Sequence, residues 1–213
     1  ALGGAGALAA AQASLDAGEA HAAQAGSWRE SSGRWWYAYD RGGYARSCWE
    51  RVGGAWYLFD DAGWMRTGWA SSAGAWYYLR GSGAMAEGWA LVDGAWYYLS
   101  PGSGAMATGW VQLGGTWYYL DGSGAMAEGW VLDRGTWYYL SPGSGAMATG
   151  WALVDGKWYW MDGSGAMATG WAQLGGAWYY LTGSGAMAEG WVLDRGTWYY
   201  LEPGSGAMAT GWK

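Results

Sequence analysis

Hydrophobic positions along this chain alternate with small or polar ones in short runs, and Gly- and Ser-rich segments separate the runs. A representative pair of runs flanks Asp93-Gly94 and is rich in Trp, Tyr, Val and Leu. These residue types favour strands, and an Asp-Gly pair suits a two-residue turn with positive φ. A turn at that point pairs Trp89 with Tyr98 and Leu91 with Trp96, so these four side chains share one face. The pattern predicts a β-hairpin.

The hairpin pattern is copied along the chain. A first Trp recurs every 20 or 21 residues, and a second Trp follows it by seven residues in nine copies. The first Trp residues are Trp28, Trp49, Trp69, Trp89, Trp110, Trp130, Trp151, Trp171, Trp191 and Trp212. The second Trp residues are Trp35, Trp56, Trp76, Trp96, Trp117, Trp137, Trp158, Trp178 and Trp198. A lone hairpin is marginally stable, so tandem copies are expected to stack. The predicted fold is an all-β hairpin solenoid of nine repeats.

Two further features concern how the repeats are built. From Trp89 onward, the 21-residue repeats carry one extra residue in the segment that holds Pro101, Pro142 or Pro203, where we expect an exposed turn. Residues 110–150 and 171–211 match almost letter for letter at an offset of 61 residues, which is three repeats. Three repeats therefore form a duplicated block, one turn of the solenoid, or both.

An Ala-rich leader, residues 1–27, differs from the repeat domain, residues 28–213. Because Ala has the highest helix propensity, residues 7–25 are predicted to form a helix; the alternative is a linker. No basic segment precedes the Ala-rich run, so it is not an intact signal peptide. We expect the chain to be the C-terminal part of a longer surface protein, with any catalytic domain upstream.

Composition narrows the function classes. The 213 residues include 22 Trp but only 13 % charged residues, and the net charge is −6. This balance argues against a nucleic-acid partner and mildly favours a cationic ligand. The chain lacks an apolar run of about 18 residues, so no membrane span is predicted. One Cys and one His exclude a disulfide framework, a zinc site and a Cys–His catalytic pair, and no cofactor is expected.

Several polar residues are interpreted without a catalytic role. A group of aspartates near the hairpin ends is predicted to form turns, and the repeats are not expected to contain an enzyme. These are Asp93, Asp133, Asp155 and Asp194. Cys48 is predicted to be a small buried residue, and a disulfide-linked homodimer through it is the alternative.

Aromatic side chains of successive hairpins are expected to meet. The face of Trp89 and Trp96 would lie against the opposite face of the next hairpin, which carries Tyr118. Met106, in the segment between hairpins, adapts to irregular gaps and would complete a box. Such a box attracts a quaternary ammonium through the ring quadrupoles, or it stacks on the face of a sugar.

The repeats resemble a known family. Units such as residues 108–120, Thr-Gly-Trp-Val-Gln-Leu-Gly-Gly-Thr-Trp-Tyr-Tyr-Leu, are similar to the choline-binding, or cell-wall-binding, repeat of Gram-positive surface proteins and wall hydrolases. The resemblance covers residues 28–213 and implies a left-handed solenoid with about three hairpins per turn. It also implies that choline is held between adjacent hairpins by two Trp of one hairpin and an aromatic residue of the next.

The candidate ligand-binding residues follow from that resemblance. Each site consists of the two Trp of one repeat, the middle Tyr of the next repeat, and a Met. The last Tyr of the next repeat is the alternative to the middle Tyr as the third wall. The sites are Trp49, Trp56 and Tyr77; Trp69, Trp76, Tyr97 and Met85; Trp89, Trp96, Tyr118 and Met106; Trp110, Trp117, Tyr138 and Met126; Trp130, Trp137, Tyr159 and Met147; Trp151, Trp158, Tyr179 and Met167; and Trp171, Trp178, Tyr199 and Met187.

Both ends of the repeat array depart from the pattern. In the first repeats Trp36 replaces the middle Tyr, and Leu58-Phe59 replace Tyr-Leu, so these repeats are expected to cap the solenoid without binding. After Trp198 no further hairpin follows, so Trp191 and Trp198 have no closing Tyr unless a homodimer or a longer chain supplies one.

The predicted function is a non-catalytic module that attaches a protein to the outer surface of a bacterium. Choline or phosphocholine on teichoic acids would be the ligand, and repetition would convert weak single sites into avidity on a polymer. Two alternatives stay open. The same solenoid binds a glucan or host glycan, because the repeat class also resembles glucan-binding and clostridial toxin repeats. Otherwise all the aromatics are packed, and the chain is a structural spacer or self-assembling fibre.

Overall fold

The computed structural model of the protein describes residues 24–211. Within that range the structure contains eighteen short strands and no helix. The strands are β1 (Gly26–Ser31), β2 (Arg34–Tyr39), β3 (Cys48–Val52), β4 (Ala55–Phe59), β5 (Gly68–Ser72), β6 (Ala75–Leu79), β7 (Gly88–Val92), β8 (Ala95–Leu99), β9 (Gly109–Leu113), β10 (Thr116–Leu120), β11 (Gly129–Asp133), β12 (Thr136–Leu140), β13 (Gly150–Val154), β14 (Lys157–Met161), β15 (Gly170–Leu174), β16 (Ala177–Leu181), β17 (Gly190–Asp194) and β18 (Thr197–Leu201).

Consecutive strands pair into nine antiparallel hairpins, each a separate two-stranded sheet. We number them hairpin 1 (β1–β2) to hairpin 9 (β17–β18). In hairpin 4 Trp89 lies opposite Tyr98 and Leu91 lies opposite Trp96, which is the predicted register. The turn residues Asp93 and Gly94 have φ values of 50° and 83°. Both values are positive, as the two-residue turn that matches strand twist requires. The all-β hairpin-repeat fold is therefore confirmed.

The chain divides into two compact units. Among the described residues, the first comprises residues 24–111 together with Tyr119–Met126, and the second comprises Gln112–Tyr118 together with residues 127–211.

Side-chain alternation separates a buried face from an exposed one in each hairpin. The last residue of each second strand, from hairpin 2 onward, is at most 1 % exposed. These residues are Phe59, Leu79, Leu99, Leu120, Leu140, Met161, Leu181 and Leu201. On the opposite face Leu91 and Leu153 are 58 % and 57 % exposed. Each hairpin from the second onward thus contributes one fully buried apolar residue to the core.

Linkers between hairpins fold back onto the strands that precede them. In the second unit the backbone of Met167 forms a bridge with Met161, at the end of its own hairpin. Its side chain lies against Gly185 of the next linker, where an added Cβ would come within 2.3 Å of the Met167 Sδ. Gly185 also has a φ of +83°, so both the close approach and the backbone conformation require glycine there.

The sequence also led to expectations about the proline segments, the leader and membrane-spanning helices. Pro101, Pro142 and Pro203 are all exposed and lie in turns, as predicted. The leader up to residue 23, with nearly all of the predicted helix, lies outside the described residues, and β1 begins at Gly26. Among residues 24–211, no helix is both long and apolar enough to cross a membrane.

Two of the aspartates predicted to form turns lie one residue before the two central turn residues. Asp133 and Asp194 are the last residues of β11 and β17, where they pair with Thr136 and Thr197. The turns themselves are formed by Arg134 and Arg195, each followed by Gly, with positive φ. The expectation for these two aspartates rested on residue type. In the structure the Gly takes the second of the two central turn positions and the Arg the first, so each Asp is the last residue of its strand. Asp93 and Asp155 do lie at the turns.

Candidate functional site

In hairpin 6 the register brings two indole rings onto one face. Trp130 pairs with Tyr139, and Trp137 pairs with Leu132, so Trp130 and Trp137 lie two pairs apart on the same side. Their ring centroids are 6.3 Å apart and their planes meet at 89°. Strand pairing thus brings two perpendicular aromatic walls onto one face, with an open corner between them.

The third wall comes from the next hairpin. Tyr159, in β14, lies with its ring centroid 4.8 Å from that of Trp130 at an interplanar angle of 68°. In its own hairpin Tyr159 pairs with Ala152, so it projects from the face opposite to Trp151. This is the middle Tyr, and the structure therefore places the middle residue, by parity, against the preceding hairpin.

The last Tyr of each repeat packs elsewhere. In hairpin 8 Tyr180 lies opposite Trp171 of the same hairpin, with ring centroids 5.1 Å apart. Trp160 takes this position in hairpin 7, 5.3 Å from Trp151. The residue at the last Tyr position thus packs against the first Trp of its own hairpin.

Met167 and a loop close the corner. A cavity of about 380 Å³ is lined by Trp130, Trp137, Tyr159, Met167 and the Gly183-Ser184 segment. The backbone N–H of Met167 donates to the carbonyl oxygen of Trp137 over 2.8 Å, which holds the linker beside the ring. Gly183-Ser184 lies in the linker that leads to hairpin 9, three hairpins beyond hairpin 6. We call the first Trp, second Trp, following middle Tyr and this Met an aromatic box.

The same arrangement repeats within the second unit. Trp151 lies 6.4 Å from Trp158 and 5.0 Å from Tyr179. Trp171 lies 6.5 Å from Trp178 and 4.7 Å from Tyr199. Both Trp pairs are again nearly perpendicular, at 86° and 80°. The second unit therefore contains three boxes of closely matched geometry.

The first unit repeats the contact between first Trp and following Tyr. Tyr77 lies 4.9 Å from Trp49, and Tyr97 lies 4.7 Å from Trp69. Two predicted sites combine residues of both units, and their grouping stays a prediction. Those sites are Trp89, Trp96, Tyr118 and Met106, and Trp110, Trp117, Tyr138 and Met126.

A box in hairpin 1 was missed from the sequence. Trp28, Trp35, Tyr57, Met65 and the Gly81-Ser82 segment line a cavity of about 330 Å³. The Trp28 and Tyr57 ring centroids are 4.8 Å apart. The changes that led us to expect a cap fall at the middle position of hairpin 1 and the last positions of hairpin 2, and none of these belongs to this box. The seven-residue Trp spacing and the intact Tyr57 were the signals that could have found it.

At the Trp130 and Trp69 sites the assigned Met was wrong by one repeat. The box of Trp130, Trp137 and Tyr159 takes Met167 rather than Met147. Likewise Met85, assigned to Trp69 and Trp76, is in the cluster that contains Tyr77, Trp49 and Trp56. The linker turns back toward the previous hairpin, so each Met serves the hairpin before the one it follows.

The remaining linkers show the same backbone contact. The Met donates from its N–H to the carbonyl oxygen of the second Trp one hairpin earlier. The pairs are Met65–Trp35, Met85–Trp56, Met106–Trp76, Met126–Trp96, Met147–Trp117, Met187–Trp158 and Met208–Trp178, with N···O distances of 2.7–2.8 Å.

The second Trp of each box stays accessible to solvent. Trp137, Trp158 and Trp178 are 41 %, 39 % and 40 % exposed. Trp191 and Trp198 of hairpin 9 are each 60 % exposed. In the second unit each of these Trp side chains therefore keeps part of its surface accessible to a ligand.

Another cavity of about 460 Å³ lies in the first unit and has a different chemistry. It is lined by Tyr39, Tyr44, Cys48, Glu50 and neighbouring residues. Glu50 is buried and accepts a hydrogen bond from the Tyr39 hydroxyl over 3.0 Å. Burial, and then this hydrogen bond, raise the pKa of Tyr39. Burial likewise raises the pKa of the half-buried Cys48 thiol, against a hydrogen bond that lowers it. This cavity lacks the perpendicular Trp pair.

Within residues 24–211, the structure brings together no group of three or more His, Cys, Asp or Glu side chains that could hold a metal ion. The chemistry of the boxes is thus that of aromatic faces and a thioether. Such surfaces suit cationic or apolar groups.

Comparison with known proteins identifies the family. The choline-binding repeat matches residues 45–86, 66–108, 107–150, 148–189 and 168–211. The chain therefore belongs to the choline-binding repeat family. Among curated proteins, none matches it.

Solved structures of Streptococcus pneumoniae proteins share this fold. CbpJ is 34 % identical with a TM-score of 0.65, over 87 % of this chain and 88 % of its own. Choline-binding protein F, in the presence of a peptidoglycan analogue, is 37 % identical with a TM-score of 0.71, over 83 % of this chain and 70 % of its own. The choline-binding domain of CbpL is 32 % identical with a TM-score of 0.66, over 89 % of this chain and 100 % of its own.

Proposed function

We propose that this protein is a non-catalytic binding module that holds the trimethylammonium group of choline in its aromatic boxes. The observation that carries the proposal is the repeated box, in which two perpendicular indoles, a Tyr of the next hairpin and a Met surround an open corner. Each ring within reach of a cation adds about 0.5–2 kcal/mol once the contact is desolvated. Membership of the choline-binding repeat family supports the same ligand.

The geometry favours a compact cation over a sugar. A pyranose ring stacks on one flat aromatic face, whereas the Trp130 and Trp137 planes meet at 89° and leave a corner rather than a platform. The purely structural alternative requires packed rings, but Trp137, Trp158 and Trp178 are each about two-fifths exposed. The net charge of −6 adds a weak, salt-screened attraction for a cation.

The biological role that follows is attachment to a polymer that displays many choline groups, such as teichoic acid on the outer face of a bacterial wall. Several weak boxes on one chain would act together, because a second box binds at the high effective concentration set by the first. The module would then localise whatever protein carries it.

The direct test is a choline titration followed by calorimetry and by the indole N–H signals of ¹⁵N-labelled protein. We expect the indole signals of Trp130 and Trp137 to shift together. The neutral isostere 3,3-dimethyl-1-butanol should bind more weakly, because it keeps the shape but lacks the charge. Isomalto-oligosaccharides should leave the signals unchanged. No heat and no shift with choline would overturn the proposal, and a shift with the sugar alone would favour the glycan alternative.

A matched pair of variants assigns the response to a box. Trp137→Leu removes one wall and should lower the affinity of that site by about two- to thirtyfold, the equivalent of one cation–π contact. Trp160→Tyr also removes an indole, but it restores the residue that other repeats carry at the last Tyr position. The second variant should bind choline as the parent does, so loss of binding in both would indicate a folding defect rather than a binding wall.

Attachment itself is tested with purified walls that do or do not carry choline. We expect the protein to bind the choline-bearing walls, and free choline to release it. Equal binding to both kinds of wall would contradict attachment through choline. It would not decide whether the boxes bind free choline, which the titration tests.

A further inference from the structure

One box of the second unit has a carboxylate attached to its first Trp. The indole Nε1–H of Trp171 donates a hydrogen bond to Asp194 Oδ2 over 3.1 Å. Asp194 is the last residue of β17 in the following hairpin, and it is half-buried. The Trp171 ring also contacts Tyr199, 4.7 Å away, and stands at 80° to Trp178. The carboxylate therefore lies at the nitrogen edge of the ring and leaves the ring face free.

The same position differs between boxes. In the first unit the Trp49 indole nitrogen donates to the Ser72 hydroxyl over 3.1 Å, so this box has a neutral acceptor. In the box of Trp130 the position is taken by Val154, which is 7 % exposed and has no acceptor in its side chain. The equivalent position is therefore an anion in Asp194, a neutral acceptor in Ser72 and an apolar residue in Val154. The aromatic residues of these boxes are otherwise the same.

We propose that Asp194 sets the ligand affinity of its box, so that the Trp171 site binds a quaternary ammonium more tightly than the Trp130 site. This inference rests on the proposed function and goes beyond it by separating the boxes into charged and uncharged classes. The residue acts without touching the ligand, through its charge and through the ring to which it is hydrogen-bonded.

Two physical effects act in the same direction. A carboxylate beside the box attracts a cation held over the ring, and a half-exposed position screens that attraction only in part. A hydrogen bond from the indole N–H to an anion also shifts electron density into the ring, which strengthens the negative potential at its face. Ser72 supplies a weaker version of the second effect, and Val154 supplies neither.

The experiment compares three variants in choline titrations read from site-resolved indole signals. Asp194→Asn keeps an acceptor for Trp171 and removes the charge; Asp194→Val imitates the Trp130 box; Val154→Asp places a carboxylate beside Trp130. We expect Asp194→Asn to weaken choline binding at Trp171 by about two- to fivefold, the effect of a half-exposed ion pair. Asp194→Val should weaken it at least as much, and Val154→Asp should strengthen binding at Trp130.

Two controls isolate the charge. The Trp130 site should keep its affinity in both Asp194 variants, which also shows that the fold is intact. The neutral isostere 3,3-dimethyl-1-butanol should bind all Asp194 variants equally, and the difference between parent and Asp194→Asn should shrink as salt is added. The indole N–H signal of Trp171 should move in Asp194→Val even without ligand, because its hydrogen bond is lost.

The outcomes separate this inference from the proposed function. If choline shifts the Trp130 and Trp171 signals but Asp194→Asn binds as the parent does at low salt, the inference fails and the proposed function stands. If the neutral isostere loses as much affinity as choline, Asp194 acts through packing and the inference fails. If choline shifts no indole signal at all, both fail.

Discussion

The backbone N–H of Met167 donates a hydrogen bond to the carbonyl oxygen of Trp137 over 2.8 Å, although the two residues belong to different repeats. Trp137 lies in the second strand of hairpin 6, and Met167 lies in the linker that follows hairpin 7. One bond therefore connects the linker to the exposed Trp of an aromatic box. It places the Met side chain beside a ring presented by the previous hairpin.

Replacing Met167 tests this assignment. We expect Met167→Ala to weaken choline binding at the Trp137 signal and to lower the free energy of unfolding by about 1–2 kcal/mol, less than for a fully buried Met because the side chain is half-buried. Met147→Ala is the matched control, since Met147 donates to Trp117 and not to Trp137. Titrations of both variants, read at Trp137, decide the point: an effect of Met147→Ala equal to that of Met167→Ala would contradict it.

Gly185 should be far less tolerant of a side chain than Gly163, a glycine in the preceding linker. In Gly185→Ala the new Cβ would meet the Met167 Sδ at 2.3 Å and would sit on a backbone with φ of +83°. The Met can move, but the backbone strain remains, so we expect a loss of about 1–2 kcal/mol in unfolding free energy. Gly163→Ala is the control, because nothing lies within 4 Å of its added Cβ. Thermal unfolding of the two variants should differ by several degrees, and equal midpoints would be inconsistent with the packing described.

Much of this architecture follows from local pattern. The turn at Asp93-Gly94 sets the register, and a register in a two-residue hairpin determines which side chains share a face. For that reason the pairing of Trp89 with Tyr98, and the outward position of the middle Tyr toward the preceding hairpin, could be worked out from spacing. The exposed Pro turns followed from their tolerance of an inserted residue.

The Met partners and the loop of each box could not be worked out in this way. The rotation from one hairpin to the next determines which hairpin the linker of Met167 contacts. It also determines that the Gly183-Ser184 loop reaches the same cavity. That rotation is set by linker backbone angles and by packing of the row of buried residues, and neither leaves a local mark in the sequence. The side-chain bond from Trp171 to Asp194 arises from the same step between hairpins, so the residue type of Asp194 could suggest a turn but not this contact.

Asp162 should contribute stability that depends on pH. Its Oδ1 accepts hydrogen bonds from the Ser164 N–H and hydroxyl, over 2.7 and 2.6 Å, and from the Ala166 N–H over 3.1 Å. The Ser164 hydroxyl, the largest cause, and these backbone donors lower the pKa of Asp162 against the opposing effect of burial. A lowered pKa in the folded state means that the contribution is complete above the unfolded value of about 4 and is lost as the pH falls below it.

The measurement is the pH dependence of unfolding for Asp162→Ala. We expect the variant to be less stable than the parent at pH 7, by under about 1 kcal/mol because the carboxylate is largely exposed to solvent. The gap should close as the pH is lowered through the acid range. Thr182 occupies the equivalent position in the next repeat and is hydrogen-bonded to Ser184, so Thr182→Ala should show a gap that does not change with pH. A constant gap for Asp162→Ala would contradict the assignment.

Cys48 should react slowly with thiol reagents while the protein is folded. Burial is the main cause that raises the pKa of its thiol, and the charge of the nearby Glu50 adds to it, so the neutral thiol predominates in the folded state at neutral pH. Because the thiolate is the nucleophile, we expect iodoacetamide to modify Cys48 several-fold more slowly in the folded protein than in urea. The ratio should narrow as the pH is raised toward the pKa of the folded thiol. Glu50→Gln, checked for intact folding by its unfolding midpoint, should increase the folded rate by removing the charge. Equal rates in the folded and unfolded protein would contradict this prediction, and they would favour the exposed thiol that a disulfide-linked homodimer requires.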